Sequence, residues 1–231
     1  MKTLIAKRKE LEIKAANLIE KKIRDYLKTQ NHIVFAIPGG SSVIRIFILL
    51  KSQPIPWHKV HIFMVDERLV PIDSPDNNFG QAEKAFISYL VHQNKIPKQN
   101  LHPYIYFNLK SGWGLEAYKK ELREFSHCYD IALLSSGEDG HIASLFPNHE
   151  TIKDTSEFFI ITEKAPKNPA RRMSSSLKLL QKSKTALLLF LGESKRKTYQ
   201  KFNDKKLSVN DCPAKLVRNI EDSYIFTDIF Q

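Results

Sequence analysis

The stretch Tyr129-Asp130-Ile131-Ala132-Leu133-Leu134-Ser135-Ser136-Gly137-Glu138-Asp139-Gly140-His141-Ile142-Ala143-Ser144-Leu145-Phe146-Pro147 carries most of the information in this chain. Its first six residues form a short apolar run, too unbroken for a half-exposed strand and suited to one buried on both faces. The next residues bring two glycines, two acids and a histidine to the point where such a strand would enter a turn. In an open α/β sheet that point is the carboxyl end of a strand, where ligands bind. An imidazole delivered there has the placement of a catalytic base.

Working outward, the same pattern recurs. His32-Ile33-Val34-Phe35-Ala36-Ile37 and Val60-His61-Ile62-Phe63-Met64-Val65 read as buried strands. Phe158-Phe159-Ile160-Ile161-Thr162, Ala186-Leu187-Leu188-Leu189-Phe190-Leu191 and Tyr224-Ile225-Phe226-Thr227 read as further strands. Leu4, Leu11, Ala15, Leu18, Ile19, Ile23 and Leu27 share one helical stripe, so an amphipathic helix is expected over 4–28. Helices are also expected at 43–50, 79–92, 114–126 and 193–203. Strands alternating with helices predict an α/β fold with a mostly parallel sheet and helices on both faces, Rossmann-like in layout. With no internal repeat and no linker, 231 residues are expected to form a single domain, 1–231.

Composition narrows the function. At 42% hydrophobic and 26% charged, the chain is an ordinary globular protein. No apolar run reaches the roughly 18 residues of a membrane span. Met1 to Lys9 returns to charge too early for a signal peptide, so a cytoplasmic protein without membrane contact is expected. Cys128 and Cys212 have no metal-ligand spacing and are read as reduced bystanders. The net charge of +11 is concentrated in residues 164–218, which hold 15 basic and 3 acidic side chains. Such a segment can draw in an anionic substrate or a nucleic acid. No aromatic-interleaved basic stripe accompanies it, so nucleic acid is not expected and most of these lysines are read as solvated surface.

Three polar segments fall at three strand ends. Gly39-Gly40-Ser41-Ser42 leaves a strand and opens a helix, so its backbone N–H groups and hydroxyls suit a phosphate; a tight turn with a serine cap would use the same residues. Asp66-Glu67-Arg68 offers a guanidinium for bidentate contact with phosphate, and either acid could hold that arginine, or Asp66 could face the reacting carbon. His141, with an ordinary pKa of about 6.5, can take a proton from water at neutral pH, and Asp139 could orient it or hold substrate hydroxyls. His32 and His61 are assigned to the sheet, and His58, His92, His102, His127 and His149 to loops or surface. No G-x-S-x-G elbow, Walker loop, G-x-G-x-x-G or zincin pattern is present, so no metal and no nucleotide cofactor is expected.

The residues also resemble a family. Gly137 to Pro147 is similar to the G-x-D-G-H-x-A-S-L-F-P signature of 6-phosphogluconolactonases. Gly39-Gly40-Ser41 resembles that family's G-G-S/T, and Asp66-Glu67-Arg68 with Val70-Pro71 its D-E-R-x-V-P. Asn78-Phe79 is similar to the N-Y of its S-N-Y; Asn77 replaces the serine. Pro169, Arg171 and Arg172 resemble P-x-R-R/I before a polar β-segment, and Gly192 to Lys195 a G-x-x-K helix start. The resemblance departs at Ser135-Ser136, where the family has G-M, a change expected at most to reduce or alter activity. Glucosamine-6-phosphate deaminases share the beginning of the signature, but they carry D-E-Y where this chain has Arg68 and a catalytic glutamate where it has Phe146.

The resemblance implies metal-independent, cofactor-free hydrolysis of 6-phospho-D-glucono-1,5-lactone in the pentose phosphate pathway. His141 would be the general base, with Asp139 and Asp66 beside it. Gly39, Gly40, Ser41 and Arg68, with Lys195 or Arg171 and Arg172, would anchor the phosphate. The alternatives are an amino-sugar phosphate deaminase or isomerase on the same fold and a non-enzymatic sugar-phosphate or nucleic-acid binder. A monomer or small homo-oligomer is expected.

Overall fold

A computed structural model describes residues 1–106 and 111–230. The chain runs through β1 (Lys2–Ile5), α1 (Arg8–Tyr26), β2 (Ile33–Ile37), α2 (Ile44–Leu50), β3 (Val60–Met64), β4 (Asp66–Arg68), α3 (Asn78–Ala82) and α4 (Ser88–His92). A π-helical turn, Glu83–Ile87, joins α3 to α4. There follow β5 (Leu101–His102), α5 (Leu115–Phe125), β6 (Ile131–Ser135), α6 (Glu150–Lys153), β7 (Phe159–Thr162) and β8 (Arg172–Ser175). The last elements are α7 (Leu177–Gln181), β9 (Thr185–Phe190), α8 (Arg196–Asn203) and β10 (Asp222–Thr227).

Seven strands form one sheet in the order β1-β10-β9-β6-β2-β3-β5, with every pairing parallel. Every residue of β2, β3 and β9 is buried, as the unbroken apolar runs demand of strands covered on both faces. From β2 the chain builds outward to β3 and β5, then returns to lay β6, β9 and β10 on β2's other side. Strand order therefore reverses between β2 and β6. The crevice beyond their carboxyl ends is where a sheet of this kind accepts a ligand.

Three expectations need correction. The first helix does not begin at residue 4: Leu4 lies in β1, which pairs Lys2–Ile5 against Tyr224–Thr227 of β10. Leu4 sits seven residues before Leu11, so it matched the helical stripe by spacing while the β10 main chain claimed it for the sheet. The strand expected at 158–162 does not join the main sheet. β7 pairs antiparallel with β8, and β8 with β4, making a separate three-stranded sheet. His102, expected at the surface, is buried in β5; its Nε2 lies 3.0 Å from His61 Nδ1 and its Nδ1 2.7 Å from Glu121 Oε1. Two residues of strand leave no periodicity to read. Both cysteines are free thiols, Cys212 fully buried.

Much of the basic segment is paired off. Lys178 and Lys182 both reach Glu157, Arg196 pairs with Glu193, and Lys184 sits 2.7 Å from Asp130. Asp130 also ties the sheet together at its amino end. Its Oδ2 accepts the Val34 N–H at 2.7 Å, and its carbonyl accepts the Thr185 N–H at 3.0 Å. Asp130→Ala leaves the buried Val34 N–H without its acceptor, so a loss of about 1–3 kcal/mol in urea unfolding is expected. A loss below about 0.5 kcal/mol would show that this stitch is dispensable.

Candidate active site

The chain leaving β2 turns through Pro38-Gly39-Gly40, and the chain leaving β6 through Ser136-Gly137. Gly39 is glycine for a steric reason: a Cβ there would come within 1.9 Å of Asn78 Oδ1. Gly40 holds φ at +94°, in the left-handed region that glycine enters at low cost. Its N–H donates to Gln81 Oε1 at 3.0 Å, so one of the amides expected to meet an anion is already occupied. Helix α2 starts only at Ile44 and carries no side-chain cap, which removes the serine-cap reading of Ser41 and Ser42.

After β3 the chain crosses from the main sheet into the small one. Val65 is the pivot, donating to the Ile37 carbonyl and accepting from the Ser175 N–H at 2.7 Å. The crossing sets Arg68 on β4 directly opposite Arg172 on β8. Arg68 donates through one terminal nitrogen to the Asp76 carbonyl at 2.8 Å, while its buried Nε has no partner among the described residues.

The acids before Arg68 hold the main chain rather than the guanidinium. Fully buried Glu67 accepts the N–H groups of Arg68, Asn78 and Phe79 at 2.7, 2.7 and 2.8 Å. Burial pushes its carboxyl up to about 7, against those hydrogen bonds. Asp66 lies in the cleft wall with its Oδ2 accepting from Ser144 at 2.8 Å and its Oδ1 3.4 Å from Asn78 Nδ2. Asn77 Oδ1 caps α3 through the Gly80 N–H at 2.8 Å, so the asparagine does the work a serine would do there.

The Gly137–His141 segment is a closed turn. Gly137 N–H donates to the His141 carbonyl at 2.8 Å, and the Gly140 carbonyl accepts from Ala214 at 3.0 Å. A Cβ on Gly137 would lie 2.1 Å from the His141 ring, so only glycine leaves room for it. His141 Nδ1 is 2.5 Å from Asp139 Oδ1. A carboxylate can only accept, so the proton of the neutral ring sits on Nδ1 and Nε2 keeps its lone pair. Burial raises the Asp139 carboxyl, but the His141 hydrogen bond, helped by Lys167, outweighs it and holds the acid well below the usual carboxylate range. Phe146 packs against the imidazole, ring centres 4.8 Å apart.

These parts converge on one cleft of about 270 Å³. Of the residues expected there, Gly39, Gly40, Ser41, Asp66, Arg68, His141, Arg172 and Lys195 line it, and Asp139 supports His141 from behind. Arg171 does not line it; it precedes β8, with its guanidinium 3.6 Å from Glu163, while Arg172, the first residue of β8, turns inward. Arg172 is not a free anion ligand either: it is 4% exposed, and its Nε and one terminal nitrogen donate to the carbonyls of Pro169, Lys167 and Asn168. The cleft also holds Glu138, from the histidine turn, and Asn78 and Lys167, which no sequence expectation placed there. The departing serines line it without obstruction: Ser136 is 2% exposed and turns its hydroxyl back onto the Gly137 carbonyl at 3.1 Å.

The match to known proteins covers nearly the whole chain. Residues 6–226 match the family described as glucosamine-6-phosphate isomerases/6-phosphogluconolactonase. The 6-phosphogluconolactonase of Borreliella burgdorferi is 32% identical over 193 residues, covering 84% of this chain and 82% of that one. That of Thermotoga maritima is 32% identical over 177 residues, 77% of each. The crystal structure of the Thermotoga maritima 6-phosphogluconolactonase superposes with a TM-score of 0.85 over 98% of both chains, at 27% identity.

The buried Glu67 gives the scaffold a pH dependence whose sign is definite. Its native pKa of about 7 lies above the ordinary 4.5, so the native state binds the extra proton between those values. This group's contribution to stability is full at and below pH 4.5, is lost as pH rises to 7, on the order of 3 kcal/mol in all, and is level above. Urea unfolding of wild type against Glu67→Gln from pH 4.5 to 8 tests it: the stability of the wild type relative to the variant is expected to fall as pH rises from 4.5 to 7. Parallel profiles would refute it.

Proposed function

The chain belongs to the glucosamine-6-phosphate isomerase/6-phosphogluconolactonase family, and on that footing we propose that it hydrolyses 6-phospho-D-glucono-1,5-lactone to 6-phospho-D-gluconate. The observation that carries this reading is the pairing of His141 with Asp139 in the same cleft as Arg68. A base for water and a cation for a remote phosphate are the two things the reaction needs. Phe146 separates the lactonase from the deaminase. Its ring lies between His141 and the Arg172 guanidinium, 5.6 Å away, and brings no carboxyl to that wall.

In the mechanism we propose, His141 Nε2 takes a proton from a water whose oxygen bonds to C1 of the lactone. The tetrahedral intermediate collapses as the C1–ring-oxygen bond breaks, and the imidazolium returns the proton to that oxygen. The new acid then ionises to solvent. Asp139 holds the ring and stabilises the imidazolium; Asp66, fixed by Ser144, keeps the wall under the reacting carbon in shape. Arg68 and the Gly39-Gly40-Ser41 bend grip the phosphate, with Lys195 at the cleft rim. Anchoring the far end of the sugar fixes C1 against the base. A positioned base supplies on the order of 10²–10⁴-fold, enough for a δ-lactone that also opens unaided.

No helix among the described residues is long and apolar enough to cross a membrane. We assign the enzyme to the cytoplasm as one domain, a monomer or small homo-oligomer, acting on the sugar-phosphate lactone without nucleic acid.

Two substitutions test the division of labour. His141→Ala is expected to lower kcat by about 10²–10⁴-fold while phosphogluconate still binds; normal kcat would remove His141 from the chemistry. Arg68→Ala is expected to raise KM for the phosphorylated lactone about tenfold or more and to leave turnover of unphosphorylated gluconolactone nearly unchanged. Equal loss on both lactones would refute the anchor. Ammonia release from glucosamine 6-phosphate, in place of acid production from the lactone, would give the chain to the deaminase branch.

A further inference from the structure

We infer that Lys167 binds the reacting end of the substrate, meeting the negative charge that forms on C1 and the carboxylate it becomes. The inference rests on the lactonase reading and adds a residue to it.

The main chain at Lys167 is held from beneath. The buried guanidinium of Arg172 donates to the carbonyls of Lys167, Asn168 and Pro169 at 3.0, 3.3 and 2.8 Å. This loop therefore presents the Lys167 side chain to the cleft, which it lines. Its ammonium is 3.4 Å from Asp139 Oδ2, and the other oxygen of that carboxylate is the one 2.5 Å from His141 Nδ1. One carboxylate thus holds the imidazole with one oxygen and the ammonium with the other. Lysine and base share a wall of the cleft.

An ammonium has three N–H donors, and the pair with Asp139 engages one. That pair is long, and Lys167 is 44% exposed, so the side chain can turn toward a ligand at small cost. Arg68, by contrast, stands on β4 with its guanidinium tied to Asp76, beside the small sheet. Lys167 is thus held by the same acid that holds the base, and Arg68 is not.

Charge bookkeeping of the reaction says what a cation beside the base is for. The lactone has a neutral C1, and its phosphate is as charged before the reaction as after. Water addition puts negative charge on the C1 oxygen in the tetrahedral intermediate and leaves a carboxylate in the product. A cation beside the base is matched to that new charge. It strengthens as the reaction proceeds, so it acts on kcat more than on KM. A lysine that served only to brace Asp139 would not distinguish ligands by the charge on their C1.

The full-length protein, Lys167→Gln and Lys167→Arg are compared with two ligands that share the phosphate and the hydroxyls. One is 6-phosphogluconate; the other is the hexitol 6-phosphate, which has a hydroxyl where the acid has its carboxylate. Lys167→Gln is expected to weaken the acid about ten- to a hundredfold and to leave the hexitol phosphate within about twofold. Retained hexitol phosphate binding also shows that the variant is folded. Its kcat on the lactone is expected to fall about 10²-fold with KM little changed, and Lys167→Arg to restore most of both. If both ligands weaken together, Lys167 belongs to the phosphate; if neither weakens, it is a surface ion pair. Either result overturns the inference while the lactonase reading stands. A wild-type protein that neither opens the lactone nor binds the acid overturns both.

Discussion

The 2.5 Å contact between His141 Nδ1 and Asp139 Oδ1 decides what this cleft can do. It puts the ring proton on the buried side and leaves the basic nitrogen toward the cavity. The partners stand two positions apart in sequence, a spacing that works only because the turn closes on itself through the Gly137 N–H and the His141 carbonyl. Gly137 then has to lack a side chain, since the imidazole occupies the space a Cβ would take. Phe146 and the Ala214–Gly140 hydrogen bond fix the turn from two further directions. Gly137, Asp139, Gly140, His141 and Phe146 of the signature thus serve one requirement, an imidazole held in one tautomer at one place.

The second requirement is a cation at a distance from that imidazole, and the small antiparallel sheet provides it. A parallel strand ending at Met64 would carry Asp66 and Arg68 straight into solvent. Instead Val65 hands the chain from β3 to β4, with Ser175 and Ile37 taking its carbonyl and N–H. Glu67 then binds three main-chain N–H groups from two elements at one carboxyl: that of Arg68 in its own strand and those of Asn78 and Phe79 at the start of α3. A buried acid in that role is costly to ionise, and the cost is the reason it titrates so high. Position of the arginine is obtained at the expense of pH tolerance in the fold.

The parallel sheet was legible because each buried strand is an apolar run bounded by breakers, as in Ile33–Ile37 before Pro38 or Ile131–Leu134 before the two serines. The glycine bends and the histidine turn were legible because ligand sites of this fold class sit at strand ends. What escaped was set by long-range contact. Leu4 fitted a helical period and was taken by β10; His102 lies in a strand of two residues; Arg171 and Arg172 are chemically alike, and only Arg172, where β8 begins opposite Arg68, turns into the cleft. Lys167 was one lysine among fifteen basic residues in its segment, and no local pattern marks it out. Its neighbour in the fold, Arg172, selects it by holding its carbonyl.

That selection changes the meaning of the basic segment. Lys178, Lys182 and Arg196 are matched to acids on the surface, and such pairs contribute little, while Lys184 is matched to the buried Asp130. The cations left facing the cleft are Arg68, Lys167, Arg172 and Lys195, against the carboxylates of Asp66 and Glu138. The excess is positive, and one of these cations, Lys167, shares its acid with the base. A sugar phosphate needs positive potential at one end only. A reaction that turns its other end from neutral to anionic needs it at both, and in the second place only once the bond to water has begun to form. The distribution of charge in the cleft follows the course of the hydrolysis, from an anchored phosphate to a molecule with a charge at each terminus.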